Sequence, residues 1–428
     1  MKLGLAILGG VLCTSVRPAA ALTLEEAVAS SQKQNERSQI AGENVAAANG
    51  RVAAARAFFL PSVTLNGTYT RRSQEVTREV GGEQTVIQIA NALQGTANLS
   101  LTIFDARSIP LYRQARLERD SAELSAKDAV RLLGFDTANA FLQTLGAQQV
   151  LGAAERSLEL SQRTLADARA RFKAQLVRSN DVTKAELETA TSEQALIQAR
   201  GDLENARLQL GFLLAAPIAD ELVEPNALLE GPPPGETGGL VGEAVKRRPD
   251  LAAARRHEQG LRAFADEPLM RFVPILGFLL QGRGTNEPGL SGRNFDWTIS
   301  LTLTWTLFDG GRAFGDRAER NAVAEVQRLT NAASVRQVDL AVRQALVELG
   351  NAQAGIKQAE VALAAAKKNA EEVSALYRQG LSNALEVATA NQQLFAAEVG
   401  AVRARYALGI AHLDVRAAVG LDALGKEP

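Results

Sequence analysis

Two long stretches of this 428-residue chain, 111–216 and 289–427, contain no proline. Proline removes a backbone donor and clashes with the preceding turn, so helices continue most easily where it is missing. Within both stretches apolar residues recur every seven positions. Leu151, Leu158, Leu165 and Phe172 form one row; Leu196, Leu203 and Leu210 form another, interleaved with Ala185, Ser192, Ala199 and Ala206. Further on, Val387, Leu394, Ala401 and Leu408 alternate with Ala390, Ala397, Ala404 and Ala411. A sustained seven-residue repeat marks coiled-coil packing, and alanine at a core position lets backbones approach closely. A helix over 110–176 would be about 100 Å long at ~1.5 Å per residue. Such a rod does not fit a compact domain. A soluble coiled-coil scaffold would explain the helices, but not the strands between them.

The segment 297–307, "WTISLTLTWTL", holds both tryptophans of the chain. Trp297, Ile299, Leu301, Leu303, Trp305 and Leu307 alternate with Thr298, Ser300, Thr302, Thr304 and Thr306. One face is apolar and the other hydroxylated. Ala97, Leu99, Leu101 and Ile103 alternate in the same way with Asn98, Ser100 and Thr102, as do Val63, Leu65, Gly67 and Tyr69 with Thr64, Asn66, Thr68 and Thr70. The strand after Pro274 is less regular, with Phe278, Leu279 and Leu280 in succession. Soluble sandwiches also alternate. Around ten residues with a polar but uncharged face match a transmembrane β-strand that lines water. The tryptophans would then lie about 20 Å apart along the membrane normal, near the two aromatic girdles. Four such strands cannot close a barrel, and lipid does not tolerate an open edge. Other copies of the chain must complete it.

The chain is one unit written twice. "SLTIFDARS" (100–108) matches "TLTWTLFDGGR" (302–312), and "RFKAQLVRSNDVTKAE" (171–186) matches "LYRQGLSNALEVATAN" (376–391). "FFLPSVTL" (58–65) matches "RFVPILGF" (271–278). Each half reads helix, strand, strand, long helix, tip, helix. The first helix covers about 23–58 and its copy about 240–266, where Pro268 should end or kink it. The expected organisation is a first repeat over 22–230, a Pro/Gly linker at 231–239, a second repeat over 240–420 and a tail at 421–428.

Residues 1–21 read as a secretory signal: Lys2, an apolar run from Leu3 to Leu12, and Ala19-Ala20-Ala21 as a cleavage site. The apolar run is too short to span a membrane. Cys13, the only cysteine, could instead be a lipidation site, although bulky Leu12 precedes it. After plain cleavage the chain has no thiol chemistry. A net charge of −1 without a basic block gives nothing for nucleic acid to bind. The two histidines, His257 and His412, are far apart in sequence, and no acidic or histidine cluster has metal-ligand spacing. No P-loop is present, and the G-x-G at 282–284 lacks a βαβ context. No catalysis, cofactor or metal is expected.

The sequence resembles the TolC family of outer-membrane efflux proteins over about 22–420. The carriers are "LTLEEAV" (22–28), "FFLPSV" (58–63), the paired "FD" strand ends, "RRPDL" (247–251) and the paired tips. The resemblance implies a membrane α+β fold. Two repeats give four transmembrane strands and long coiled-coil helices per chain, in a homotrimer that shares a 12-stranded barrel and an α-helical periplasmic tunnel. It implies a passive export duct, receiving substrates from an inner-membrane transporter through a periplasmic adaptor. By the same resemblance the adaptor meets the tips: Leu176, Val177, Arg178 and Ser179 on the first, Gly380, Leu381 and Ser382 on the second. Gly380 matches the family's tip glycine. Gln175 replaces it in the first repeat, which leaves that tip's geometry open. A tyrosine–aspartate link holds the family's tunnel shut, and Tyr377 and Asp181 occupy the matching positions. Of the family's paired constriction acids, Glu386 matches the first and Thr389 replaces the second; Ser382 stands where the tip arginine would be. Glu386 would place three acids at a constriction in the trimer, or is an exposed helix charge. A type I protein secretion duct, a diffusion porin and the soluble scaffold are the competing readings.

Outer-membrane lipid should meet both tryptophans. In the single-tryptophan variants Trp297→Phe and Trp305→Phe, brominated lipid is expected to quench the remaining indole. Shielding of both rings would overturn the lipid-facing assignment.

Overall fold

The computed structural model describes residues 21–80, 82–216, 218, 221–229, 237–287 and 292–427. Residues 1–20 of the expected leader, with Cys13, and 231–236 of the linker lie outside the described residues. The chain forms two compact units. One comprises 40–128 and 248–337; the other draws on 21–39, 129–247 and 338–427. Neither unit is a single repeat, because each takes a share of both.

The first unit contains the strands. β1 (Ser62–Arg71) is followed by a hairpin, β2 (Val76–Val80) and β3 (Glu83–Gln88), and then by β4 (Asn91–Phe104). The second repeat adds β5 (Ile275–Thr285) and β6 (Phe295–Thr304). Four strands make an antiparallel sheet in the order β1-β4-β5-β6, while β2 and β3 pair apart. The alternation in "EVTREVGGEQTVIQ" signals that hairpin, but the four-strand reading passed over it.

The register carries the alternation across the whole sheet. Directly opposite residues share a face. Val63 pairs with Leu99, which pairs with Leu280, which pairs with Ile299. Leu65, Ala97, Gly282 and Trp297 form the next row. This apolar face is uncovered: Leu65 is 79% exposed and Leu301 65%. On the other face Ser62 bonds Ser100 (Oγ–Oγ 2.6 Å), and Gln281 Nε2 donates to Asn98 Oδ1 at 2.8 Å. The register also explains the irregular β5. Phe278 and Leu280 join the apolar face, and Leu279 interrupts the polar face between Ser100 and Ser300.

The strand expected to run through 307 stops earlier. β6 ends at Thr304, paired with Ile275, and the residue before Ile275 is Pro274. Proline has no N–H to extend the ladder. Trp305 therefore sits just past the strand, its Nε1 donating to Phe272 O at 2.9 Å. The paired "FD" motifs start helices. The Asp309 carboxylate accepts the N–H groups of Gly311 (3.0 Å) and Ala313 (2.8 Å) where α9 (Arg312–Arg378) begins. Asp105 accepts the Arg107 N–H at 3.0 Å just ahead of α3 (Ser108–Lys173).

Each expected opening helix is broken in two. α1 (Leu24–Gln34) begins with a Thr23–Glu26 capping box. It gives way to α2 (Glu36–Arg56) at buried Asn35, whose Oδ1 accepts the Arg37 N–H and whose Nδ2 donates to Leu213 O. In the second repeat α6 (Thr237–Arg247) gives way to α7 (Pro249–Ala265), where Pro249 opens the new helix. α6 thus begins inside the expected linker. Pro268 falls in the first turn of the short α8 (Glu267–Met270), so α7 ends before it as the sequence requires.

The other unit is helical. Leu133, Phe141 and Leu142 of α3 are fully buried with Leu210 of α4 (Ser179–Leu214) and Leu413 of α10 (Ala384–Val419). Backbone approach is close at Gly409. A Cβ there would lie 3.1 Å from Leu142 Cδ1 and 2.8 Å from Cδ2 of Leu229, in the short α5 (Asn226–Leu229). The heptad rows become helix seams: Ala185, Leu196, Ala199 and Leu203 are buried on α4, and Val387, Ala390 and Leu408 on α10. Phe172, expected in such a row, is instead 46% exposed in the last turn of α3. Among the described residues no helix is long and apolar enough to cross a membrane.

One buried acid lies in the α4–α10 seam. Glu188 Oε1 accepts from Asn391 Nδ2 at 3.1 Å, while Oε2 has no partner among the described residues. Burial pushes its carboxyl above the usual range, against the lowering effect of Asn391. The folded state therefore holds a proton more tightly than the unfolded chain, so stability falls as pH rises through that window. Glu188→Gln mimics the protonated form. It is expected to raise stability at pH 8 by about 1–3 kcal/mol, with the gain shrinking towards pH 4; circular-dichroism melts at both values check this.

Candidate functional site

The candidate site is the pair of turns that join α3 to α4 and α9 to α10. Both are Schellman motifs, in which a left-handed residue lets two N–H groups fold back on the last helical carbonyls. In the second, Gly380 has φ +79°, its N–H donates to Tyr377 O (3.1 Å), and Leu381 N–H donates to Leu376 O (2.9 Å). In the first, Gln175 has φ +58°, its N–H donates to Phe172 O (2.9 Å), and Leu176 N–H donates to Arg171 O (2.9 Å). The glutamine thus adopts the conformation expected to suit glycine, and the two tips have the same hydrogen-bond plan. Leu176 and Leu381 end the two turns as matched apolar knobs, 74% and 71% exposed.

Capping engages several of the expected gate residues. Asp181 lies in the first turn of α4, and its Oδ2 accepts the Arg178 N–H at 3.2 Å. Asn383 caps α10: its Oδ1 accepts the Glu386 N–H at 3.1 Å, and its Nδ2 donates to Glu386 Oε1 at 3.0 Å. Ser382 Oγ donates to Glu386 Oε2. Both acids sit at the positive ends of their helices, where negative charge is favoured. Glu386 and Thr389 are exposed one turn apart, and the Thr389 hydroxyl donates to Leu385 O.

The Tyr377–Asp181 hydrogen bond expected as a latch is not made in this structure. Tyr377 and Asp181 line one cleft of about 810 Å³ together with Arg171, Arg178, Lys184 and Arg378. The aspartate carboxylate is turned to its helix cap, and the tyrosine hydroxyl has no hydrogen-bond partner among the described residues. Tyr377 is buried, packed against Ala384, Val387 and Val373. Burial raises the phenol above its usual range, opposed by Arg171 and reinforced by Asp181 and Asp167.

The contact that does cross between the tips comes from Arg171. Its Nη1 donates to Tyr377 O at 2.9 Å and its Nη2 to Arg378 O at 3.1 Å. The sequence reading missed this residue. The signal was the mismatch between Arg171 and its repeat counterpart Leu376, the one charged-for-apolar exchange in the aligned "RFKAQL" and "LYRQGL".

The remaining expected site residues belong to the strand-bearing unit. Trp297, in β6, is 65% exposed on the apolar face, and Trp305 is 59% exposed at the sheet's other end.

A model of the family described as "Outer membrane efflux protein" matches residues 23–216 and 240–421. Outer membrane protein TolC of Escherichia coli K12 is 24% identical over 394 residues, spanning 87% of this chain and 77% of TolC. Nodulation protein T of Rhizobium leguminosarum bv. trifolii is 22% identical over 373 residues, spanning 84% of this chain and 77% of that protein. The fold is similar to the Vibrio cholerae outer membrane protein VceC (TM-score 0.76, 17% identity, 93% of this chain and 96% of that one). It is equally similar to the open state of the Neisseria gonorrhoeae MtrE channel (TM-score 0.77, 17% identity, 95% and 90%).

A glutamine at positive φ is strained relative to glycine. Gln175→Gly is expected to steady the first tip by about 1 kcal/mol, and Gly380→Gln to loosen the second by about as much. Hydrogen exchange at the Leu176 and Leu381 amides reads this out, slowing at the first and speeding at the second. Equal exchange in parent and variants would refute it.

Proposed function

This chain belongs to the outer membrane efflux protein family and is an outer-membrane channel for efflux; from that premise we propose that it works as a homotrimer in a tripartite export system. The observation that carries the proposal is the unfinished sheet. It has an uncovered apolar face, a polar face bonded by side chains, and edges at β1 and β6 that have no neighbouring strand among the described residues. Four antiparallel strands leave those two edges running in opposite directions. The β6 edge of one copy can therefore join the β1 edge of the next in an antiparallel ladder. Three copies supply twelve strands, a number that closes a barrel with the polar face around a water-filled lumen. Closure removes the unpaired backbone groups that lipid would not tolerate. Trp297 and Trp305 then face lipid from opposite ends of the sheet.

The leader over 1–21 directs export and is removed, leaving the repeats over 22–230 and 240–420. The helical tips meet a periplasmic adaptor, which links the duct to an inner-membrane transporter. Leu176 and Leu381 offer matched apolar contacts, flanked by Val177, Arg178, Ser179, Gly380 and Ser382. The constriction is at the same tips. Three copies of Glu386, with Thr389 one turn on, favour cations at the narrow point. Tyr377 and Asp181 line one cleft at these tips. The chain itself catalyses nothing, and the energy for transport comes from the transporter.

Native mass spectrometry of the detergent-extracted protein is expected to report three copies, and a monomer would refute the shared barrel. In planar bilayers Glu386→Gln is expected to lower the cation-over-anion permeability ratio severalfold while preserving assembly. An unchanged ratio would move the constriction elsewhere.

A further inference from the structure

The two tips are built alike but are not tied alike. Arg171 takes part in both. Its carbonyl accepts the Leu176 N–H and closes the first tip's own turn. Its guanidinium crosses to the second repeat and holds the carbonyls of Tyr377 and Arg378 at 2.9 and 3.1 Å. The Tyr377 ring packs against the same group, with Cζ 4.7 Å from the ring centroid. Leu376 occupies the repeat-related position and cannot return the contact. Meanwhile the Tyr377 hydroxyl has no partner among the described residues, and the Asp181 carboxylate serves its own helix.

We infer that Arg171 is the positioning residue that holds the second tip against the first, and so keeps the duct closed at its periplasmic end. This rests on the reading of the tips as the constriction. The chemistry suits a releasable tie. A guanidinium at the carbonyl end of a helix meets both the orphan acceptors and the negative end of the dipole. Its planar fork gives each of two successive carbonyls its own nitrogen, Nη1 to Tyr377 O and Nη2 to Arg378 O, a fixed spacing that lysine's single compact ammonium does not provide. The tyrosine ring adds a cation–π contact. Swinging the α9–α10 hairpin away from α3 breaks all of these at once.

The tie is separable from the fold of the turn. Tyr377 O also accepts the Gly380 N–H, and Leu381 N–H bonds Leu376 O. Neither bond involves Arg171. Removing the guanidinium releases the second tip without unmaking its turn. The first turn uses only the Arg171 backbone, so it too survives the substitution.

The test uses the full-length trimer in planar bilayers. Arg171→Ala is expected to raise conductance, shifting the open-to-closed ratio about tenfold, as the loss of one to two charge-assisted hydrogen bonds predicts. Arg171→Lys should fall between Ala and the parent. Arg169→Ala, which removes the same charge two residues away along with its Glu186 ion pair at 2.8 Å, should leave conductance unchanged. Leu381 amide exchange should stay as in the parent, showing the turn intact. The proposal is overturned if Arg171→Ala conducts like the parent, or if Arg169→Ala opens the channel as much. If Glu386→Gln alters ion selectivity while Arg171→Ala does nothing, the tips remain the constriction and Arg171 is not its tie. If neither variant changes anything, the constriction is not at the tips and both readings fall.

Discussion

Everything else in this protein follows from a sheet that one chain cannot finish. Backbone N–H and C=O groups at the β1 and β6 edges need partners, and the apolar face needs a cover. In water either shortfall would invite aggregation. In the proposed trimer both are met together: outer-membrane lipid covers the face and neighbouring copies pair the edges.

The duplicated sequence meets that constraint with elements drawn from both halves. β4 comes from the first repeat and β5 from the second, and they pair along most of their length. The outer loops are tied in the same way: Arg72 of the first repeat donates to both oxygens of Glu287 in the second, at 3.0 Å each. A repeat in this chain is therefore not a folding compartment. Each compact unit contains corresponding pieces of both repeats, as the strands and the paired helix starts at Asp105 and Asp309 show.

At the tips, local rules and functional demands compete for the same groups. Asp181 and Glu386 lie in first turns, where capping and the helix dipole favour a carboxylate. A role in a gate must draw on side chains that the helix ends already use. Arg171 escapes that competition, because its own turn needs only its backbone. The asymmetry between Arg171 and Leu376 turns two nearly identical turns into a tie with a direction.

Much of this was legible in the sequence because it is written in period and position. The seven-residue rows, the two-residue alternation, the left-handed glycine at 380 and the repeated "FD" depend on near neighbours along the chain. So does the need for other copies, which follows from a strand count. The tertiary structure decided what depends on partners distant in sequence. It ended β6 at Thr304 because Pro274 lies across the ladder, and it sorted Phe278, Leu279 and Leu280 onto their faces through pairing with β4 and β6. It placed Gln175 at positive φ because the turn's two hydrogen bonds, repeated in both halves, outweigh the strain. It left Tyr377 and Asp181 without a bond to each other and put Arg171 between the tips. A motif can show which side chains are present, but hydrogen-bond geometry over a few tenths of an ångström decides which of them meet.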